Sequence, residues 1–306
     1  MRRAFFDTVT DMAQECDDIY LLTGDLGFGL FDEFRSKYSE RFFDIGVAEA
    51  NMIGIAAGLA LSDKNVYCYS IIPFLIMRTF EQIRIDIAYQ NLNVKLVGTG
   101  GGFTYGLEGF THFGLEDLAL MRTLPNITIV VPADPLEAKC LAKISYEYRS
   151  PMYIRLGKTG EPRVHNSEPD FRIGKPIFLS EGSDIALFAI GSMVYVGKQV
   201  VERLKKSGVK TTLINMHTLK PFNRNIVCQV ASAHQVIFSL EEHYTEGGLG
   251  SSIAEVIAEK GDGGIFRRIG VDKLNRFVGD SDFLREKYGL TVDKVYDRIL
   301  KEMKRN

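Results

Sequence analysis

No apolar run in this sequence approaches the roughly 18 residues that a membrane-spanning helix needs. The start, MRRAFFDTVTDM, reaches Asp7 before an apolar core of signal-peptide length has formed. Cysteine is scarce and scattered. Cys16, Cys68, Cys140 and Cys228 form no CxxC pair and no Cys/His cluster, which argues against a disulfide framework and a zinc site. Neither sign of charge is in excess. With 37 Lys and Arg against 39 Asp and Glu, net charge −2, the chain has no electrostatic reason to bind nucleic acid or an anionic membrane. Internal repeats and low-complexity segments are missing too. The expectation is a cytoplasmic globular protein whose 306 residues, 45% hydrophobic and 25% charged, suffice for two domains.

Strands and helices alternate along the chain. IYLLTGDLG (19–27) reads as a buried strand running into a glycine turn, and NVYCYSI, VKLVGTGGG, ITIVVPAD and PMYIRLG follow as strands. Between them, helical periodicity covers 3–16, the Glu49 stretch, FLIMRTFEQIRIDIAYQ (74–90), LEDLALMRTL and PLEAKCLAKISYEY. This pattern predicts a doubly wound, mainly parallel α/β domain over 1–160. Residues 161–175, polar and holding Pro162 and Pro169, suit a linker over the surface. A second α/β alternation over 176–306 runs through IALFAIG, TTLINMH, VIFSLEE and FRRIGV, with helices at VYVGKQVVERLKKSG, GSSIAEVIAEKG and the C-terminal tail.

The most unusual stretch is DIGVAEANMIGIAAG (44–58), in which Glu49 stands at the mouth of a helix of small apolar residues. Gly54 and Gly58 keep that helix smooth enough for another backbone to approach. Glu49 is then either a complement to the helix dipole or a desolvated acid that exchanges a proton with a ligand. The glycines at 98, 100, 101 and 102 follow a strand but lack the third glycine of GxGxxG, Phe103 standing there, and no GK[ST] is present. A loop that admits something bulky is the better reading. The next segment, YGLEGFTHFGLED (105–117), sets Glu108, His112, Glu116 and Asp117 beside it, at a sheet edge where ligands bind.

These segments resemble the transketolase family. The Glu49 stretch is similar to that family's G-[IV]-x-E segment, E-G-F-T-H (108–112) to its D-G-x-T-H loop, and TGDLGFG (23–29) to its G-x-x-D-L turn with Asp25 at the acidic position. Phe74, Met77 and Phe80, at i, i+3 and i+6, match three aromatic positions, Met77 replacing one ring. ALFAIGSMV, SLEEHYTEGGLGSSIAEV and RIGVDKLNRFVGDSDFLREKYGL look like the family's C-terminal domain, so the resemblance covers nearly the whole chain. It implies a thiamine diphosphate pyrimidine-binding domain followed by a transketolase C-terminal-like domain. Glu49 would bond the aminopyrimidine, Phe74, Met77 and Phe80 would embrace it, and Asp25 would help bind the cofactor. His112 would contact the substrate and the reacting centre. Glu108 would contact substrate hydroxyls, one methylene longer than the family's Asp, and Arg155 and Arg3 would bind the substrate phosphate. Position 100 is glycine where transketolases carry a substrate-contacting histidine.

The family's GDG…N motif, which binds Mg2+ and the diphosphate, is missing where a strand and helix would support it; Gly261-Asp262-Gly263 lies in a late loop. The resemblance therefore implies half a site. A separately encoded N-terminal subunit carrying GDG…N would supply the rest, in a dimer of heterodimers acting on sugar phosphates. The β subunit of a 2-oxoacid dehydrogenase is the alternative within the superfamily, and a non-catalytic scaffold subunit is the alternative of another class.

Overall fold

The computed structural model describes residues 1–158, 160–261 and 264–304, so Asp262 and Gly263 of the GDG stretch lie outside the described residues. Its strands are β1 (Ile19–Thr23), β2 (Phe42–Asp44), β3 (Asn65–Ile71), β4 (Val94–Thr99), β5 (Thr128–Val130), β6 (Met152–Leu156), β7 (Ile177–Ser180), β8 (Ile185–Ala189), β9 (Thr211–Asn215), β10 (Thr218–Lys220), β11 (Val236–Tyr244) and β12 (Ile265–Val271). They form one sheet in the order β10-β5-β6-β4-β3-β1-β2 and another in the order β12-β11-β8-β9-β7. Every pairing is parallel except β10 with β5 and β7 with β9. Two mainly parallel α/β domains, as the alternation predicts, are what the chain builds.

Strands covered on both faces read as unbroken apolar runs, and β3 shows why. Its Val66 and Cys68 enter one core with Met52, Ile53 and Ala56 of the helix Glu49–Leu61. Tyr67 and Tyr69 enter the opposite core, with Phe5, Phe6 and Val9 of the helix Arg2–Met12 and Leu141 of the helix Pro135–Glu147. The first of these cores continues into the second sheet through Ala186 and Phe188 of β8 and Ile214 of β9. The two sheets thus share apolar packing. Among the described residues no helix is long and apolar enough to cross a membrane.

The helix predicted over 74–90 is broken in the structure. A helix Ile72–Ile76 stops, a short turn Phe80–Gln82 follows, and Ile83–Ala88 is wound as a π-helix. Thr79, wholly buried, turns its hydroxyl onto the carbonyl of Leu75, four residues back, a local bond that bends helices. The strands β2, β7 and β10 are three or four residues long and lie at sheet edges, too short for periodicity to reveal. Helices Arg224–Ala233 and Ser281–Lys287 are likewise additions to what the pattern predicts.

The segment 161–175 is held to the body it crosses. Asp134, at the N-cap of the helix Pro135–Glu147, accepts the backbone N–H of Leu136 and Glu137 with one oxygen and those of Val164 and His165 with the other. Buried Glu137 then bonds His165 and Asn215 of β9. Phe171 stacks on His217 at 4.1 Å.

Candidate active site

The strands β1, β3, β4 and β6 are neighbours and parallel, so the loops that leave their carboxyl ends lie side by side along one edge. That edge is where open α/β sheets receive ligands. It collects the loop after Thr23, the helix Ile72–Ile76, the segment from Gly100 to Phe113, and Gly157 onward.

Glu49 opens the helix Glu49–Leu61 and is 1% exposed. Its Oε1 accepts the hydroxyl of Ser70 on β3 at 2.9 Å, and its Oε2 accepts Nη1 of Arg78 at 3.0 Å. Gly24, in the loop after β1, packs closely here: a Cβ on it would lie 3.2 Å from the carbonyl oxygen of Gly46 and 3.4 Å from Oε1 of Glu49. Backbone at Gly24 and Gly46 therefore packs closely against the acid on this side. The helix behind it buries Met52, Ile53, Ala56 and Ala60, while Gly54 and Gly58 face open space.

A continuous row of side chains leads away from Glu49. The Arg78 guanidinium lies 4.7 Å above the ring of Phe74, which meets His112 edge-on at 5.0 Å. His112 shares a 2.9 Å hydrogen bond with Thr111 through Nδ1, and among the described residues its Nε2 has no hydrogen-bond partner. Next comes Tyr105, 6.1 Å from His112, with the Lys158 ammonium 4.6 Å above its ring. The row ends in a cleft of about 190 Å³ lined by Arg2, Arg3, Lys158, Phe28 and Glu161 among others. Tyr105 also accounts for the glycine at 100. With φ +91° and a virtual Cβ 2.3 Å from the Tyr105 ring, position 100 has no room for a side chain.

The remaining expected residues fall unevenly along this edge. Met77 is exposed in the helix break beside Phe74, whereas Phe80 packs partly against the main core; the broken helix removes the single face on which i, i+3 and i+6 were to align. Asp25 is exposed at φ +54°, its backbone N–H donated to Asp44, and its carboxylate makes no hydrogen bond or ion pair among the described residues. Glu108 is exposed on the loop with its carboxylate equally free. Arg3 donates to the carbonyl of Gly29 at 2.9 Å and borders the cationic cleft.

Arg155 is placed otherwise than expected. It sits inside β6, paired in register with Gly98, and is only 5% exposed. Its Nε donates to Asp117 Oδ2 at 2.8 Å, and its Nη2 donates to the carbonyls of Gly114 at 2.6 Å and Glu242 at 3.1 Å. Tyr153 donates to the same Asp117 oxygen at 2.6 Å. The guanidinium thus ties the 105–117 loop to β6 and to β11, and it borders a cavity of about 230 Å³ with Gly101 and Gly157. Arg155→Ala would leave Asp117 a buried, poorly compensated charge. It is expected to cost about 3–5 kcal/mol in denaturant unfolding, with equal losses toward phosphorylated and unphosphorylated substrates.

The family described as transketolase, pyrimidine binding domain, matches residues 1–161, and transketolase, C-terminal domain, matches residues 174–295. The chain is 33% identical to one subunit of an apulose-4-phosphate transketolase of Phocaeicola vulgatus, over 99% of this chain and 97% of that protein. It is 35% identical to a 6-deoxy-6-sulfo-D-fructose transketolase subunit of a Clostridium species, over 96% and 92% respectively. Among solved structures, a split-gene transketolase described as an inactive β4 tetramer superposes with a TM-score of 0.88 at 34% identity, covering 98% of this chain and 96% of that one.

Proposed function

The chain belongs to the transketolase family, as a pyrimidine-binding domain joined to a C-terminal domain, and we propose that it is the C-terminal subunit of a split, thiamine-diphosphate-dependent transketolase. The reaction would move a two-carbon ketol unit from a ketose phosphate to an aldose, in the cytoplasm, with a separately encoded N-terminal subunit completing each site. The observation that carries this reading is the row from buried Glu49 through Phe74 and His112 to a cationic cleft, on one open edge.

The residues fit one end of the cofactor. A buried carboxylate near an aromatic face suits an aminopyrimidine, and backbone at Gly24 packs close against that carboxylate. Mg2+ and the diphosphate are assigned to the partner's GDG…N motif, as the family resemblance implies. Thiamine diphosphate, when bound, supplies the electron sink for cleaving a carbon–carbon bond beside a carbonyl. Glu49 would hold and exchange a proton at the pyrimidine nitrogen. His112, its Nδ1 side fixed by Thr111, would present Nε2 to a substrate oxygen. Phe74, with Met77 and Phe80 nearby, would shield the ring from water; Asp25 and Glu108 would line the cofactor and hydroxyl sides.

The cleft of Arg2, Arg3 and Lys158 is proposed as the seat of the substrate's terminal anion. Lys158 lies just past the carboxyl end of β6 and lines this cleft, which Arg155 does not. The relatives support an anion there: one is named for a sugar phosphate and the other for a sulfonated sugar. Bonds to a charged group are worth about 1.5–3 kcal/mol, so Lys158→Ala should lower kcat/KM for a phosphorylated aldose roughly 10- to 100-fold and leave the free aldose nearly unchanged. Equal losses on both would remove Lys158 from the anion site. Two-carbon transfer by the reconstituted pair, measured against decarboxylation of 2-oxoacids, tests the reaction class.

The open face of the helix Glu49–Leu61 and exposed Val47, Met77, Leu107 and Phe110 around the site are large apolar surfaces that a partner would cover. The inactive β4 tetramer of the related split-gene enzyme supports the same view, that such a chain without its partner does not turn over.

A further inference from the structure

Glu49 has two oxygens and, among the described residues, two hydrogen-bond partners, which differ in kind. Ser70, wholly buried on β3, holds Oε1 from inside the domain. Arg78 holds Oε2 from a side chain that is 45% exposed, placed in the break between the helix Ile72–Ile76 and the turn at Phe80. The inner contact is fixed and the outer one rides on a long side chain at the open mouth. The same guanidinium also covers the face of Phe74 at 4.7 Å.

Those two surfaces, the outer oxygen of Glu49 and the face of Phe74, are the ones an aminopyrimidine would need under the function proposed above, on which this inference rests. We propose that Arg78 is a displaceable latch on the cofactor site. A guanidinium is planar, cationic and a donor, so it imitates a ring that donates to a carboxylate while stacking on an aromatic face. While the site is empty, Arg78 keeps the buried carboxylate from standing unpaired, a costly condition. When the pyrimidine arrives, ring and guanidinium compete for one oxygen and one face, and Arg78 swings to solvent. Apparent affinity is then reduced by the fraction of chains whose latch is open.

The latch predicts a gain of binding from the loss of a charge. With the chain reconstituted with an N-terminal transketolase subunit, Arg78→Ala should tighten the calorimetric Kd for thiamine diphosphate, with Mg2+ present, by roughly 5- to 20-fold. The melting temperature of the empty chain should fall at the same time. Arg78→Gln, which keeps the stem, should shift both in the same direction and covers the case in which the alanine variant folds poorly. Inorganic pyrophosphate, which needs neither the Glu49 oxygen nor the Phe74 face, is the control, and its Kd with Mg2+ should change less than about twofold. Unchanged or weaker cofactor binding in both variants, or an equal gain for cofactor and pyrophosphate, overturns the latch alone. Failure of the wild-type pair to bind thiamine diphosphate overturns the proposed function, and the latch falls with it.

Discussion

Glu49→Gln, assayed in the reconstituted enzyme, is expected to lower turnover by roughly 10²- to 10⁴-fold with the fold intact. Glutamine keeps the shape of the side chain and can still accept the Ser70 hydroxyl, so packing at this nearly inaccessible site changes little. What it loses is the proton-exchanging acid and the anionic partner of Arg78. If Glu49 did no more than complement the dipole at the start of the helix Glu49–Leu61, the substitution would cost about 0.3–1 kcal/mol of stability and leave catalysis alone. Steady-state kcat beside a thermal melt of the same preparation separates the two: a modest change in melting with undiminished turnover removes Glu49 from the chemistry.

Glu49 and His112 could be singled out because each stands among glycines and small residues near a strand end, and Phe74 only through the family resemblance; the structure sets the three in one row with Arg78. The sheets were legible for a related reason. Strands such as β3, β4 and β6, buried on both faces, leave apolar runs that a sequence shows directly. The surroundings of Arg155 depend on register, which the sequence does not show: paired with Gly98 inside the sheet, it points into a buried cluster with Asp117. Nothing in YIRLG says which residue clears the strand end. Lys158, three residues later, does so, and Tyr105 and Arg78 gain their roles from neighbours distant in sequence. The break at Thr79 was hidden by a hydrophobic periodicity that continues through it. Short edge strands, pinned by tertiary contacts rather than by their own pattern, were hidden in the same way.

The second large effect concerns what the chain does without a partner. The row from Glu49 to His112, proposed as the pyrimidine side of the site, lies within this chain, and the diphosphate's charge needs a metal or helix N-termini to neutralise it, assigned in the proposal to the partner. Around the mouth stand Phe28, 84% exposed, with Val47, Leu107 and Phe110, surface that is costly to leave in water and that a partner would bury. The isolated chain is therefore expected to hold the cofactor only weakly, on the order of millimolar or beyond, and to show no turnover.

Calorimetric titration of thiamine diphosphate and Mg2+ into the purified chain, then into the chain mixed with an N-terminal transketolase subunit carrying GDG…N, with two-carbon transfer assayed in both, tests the half-site most directly. The expected result is no saturable micromolar binding and no transfer by the chain alone, and both on adding the partner. Micromolar binding together with turnover by the chain alone would contradict it.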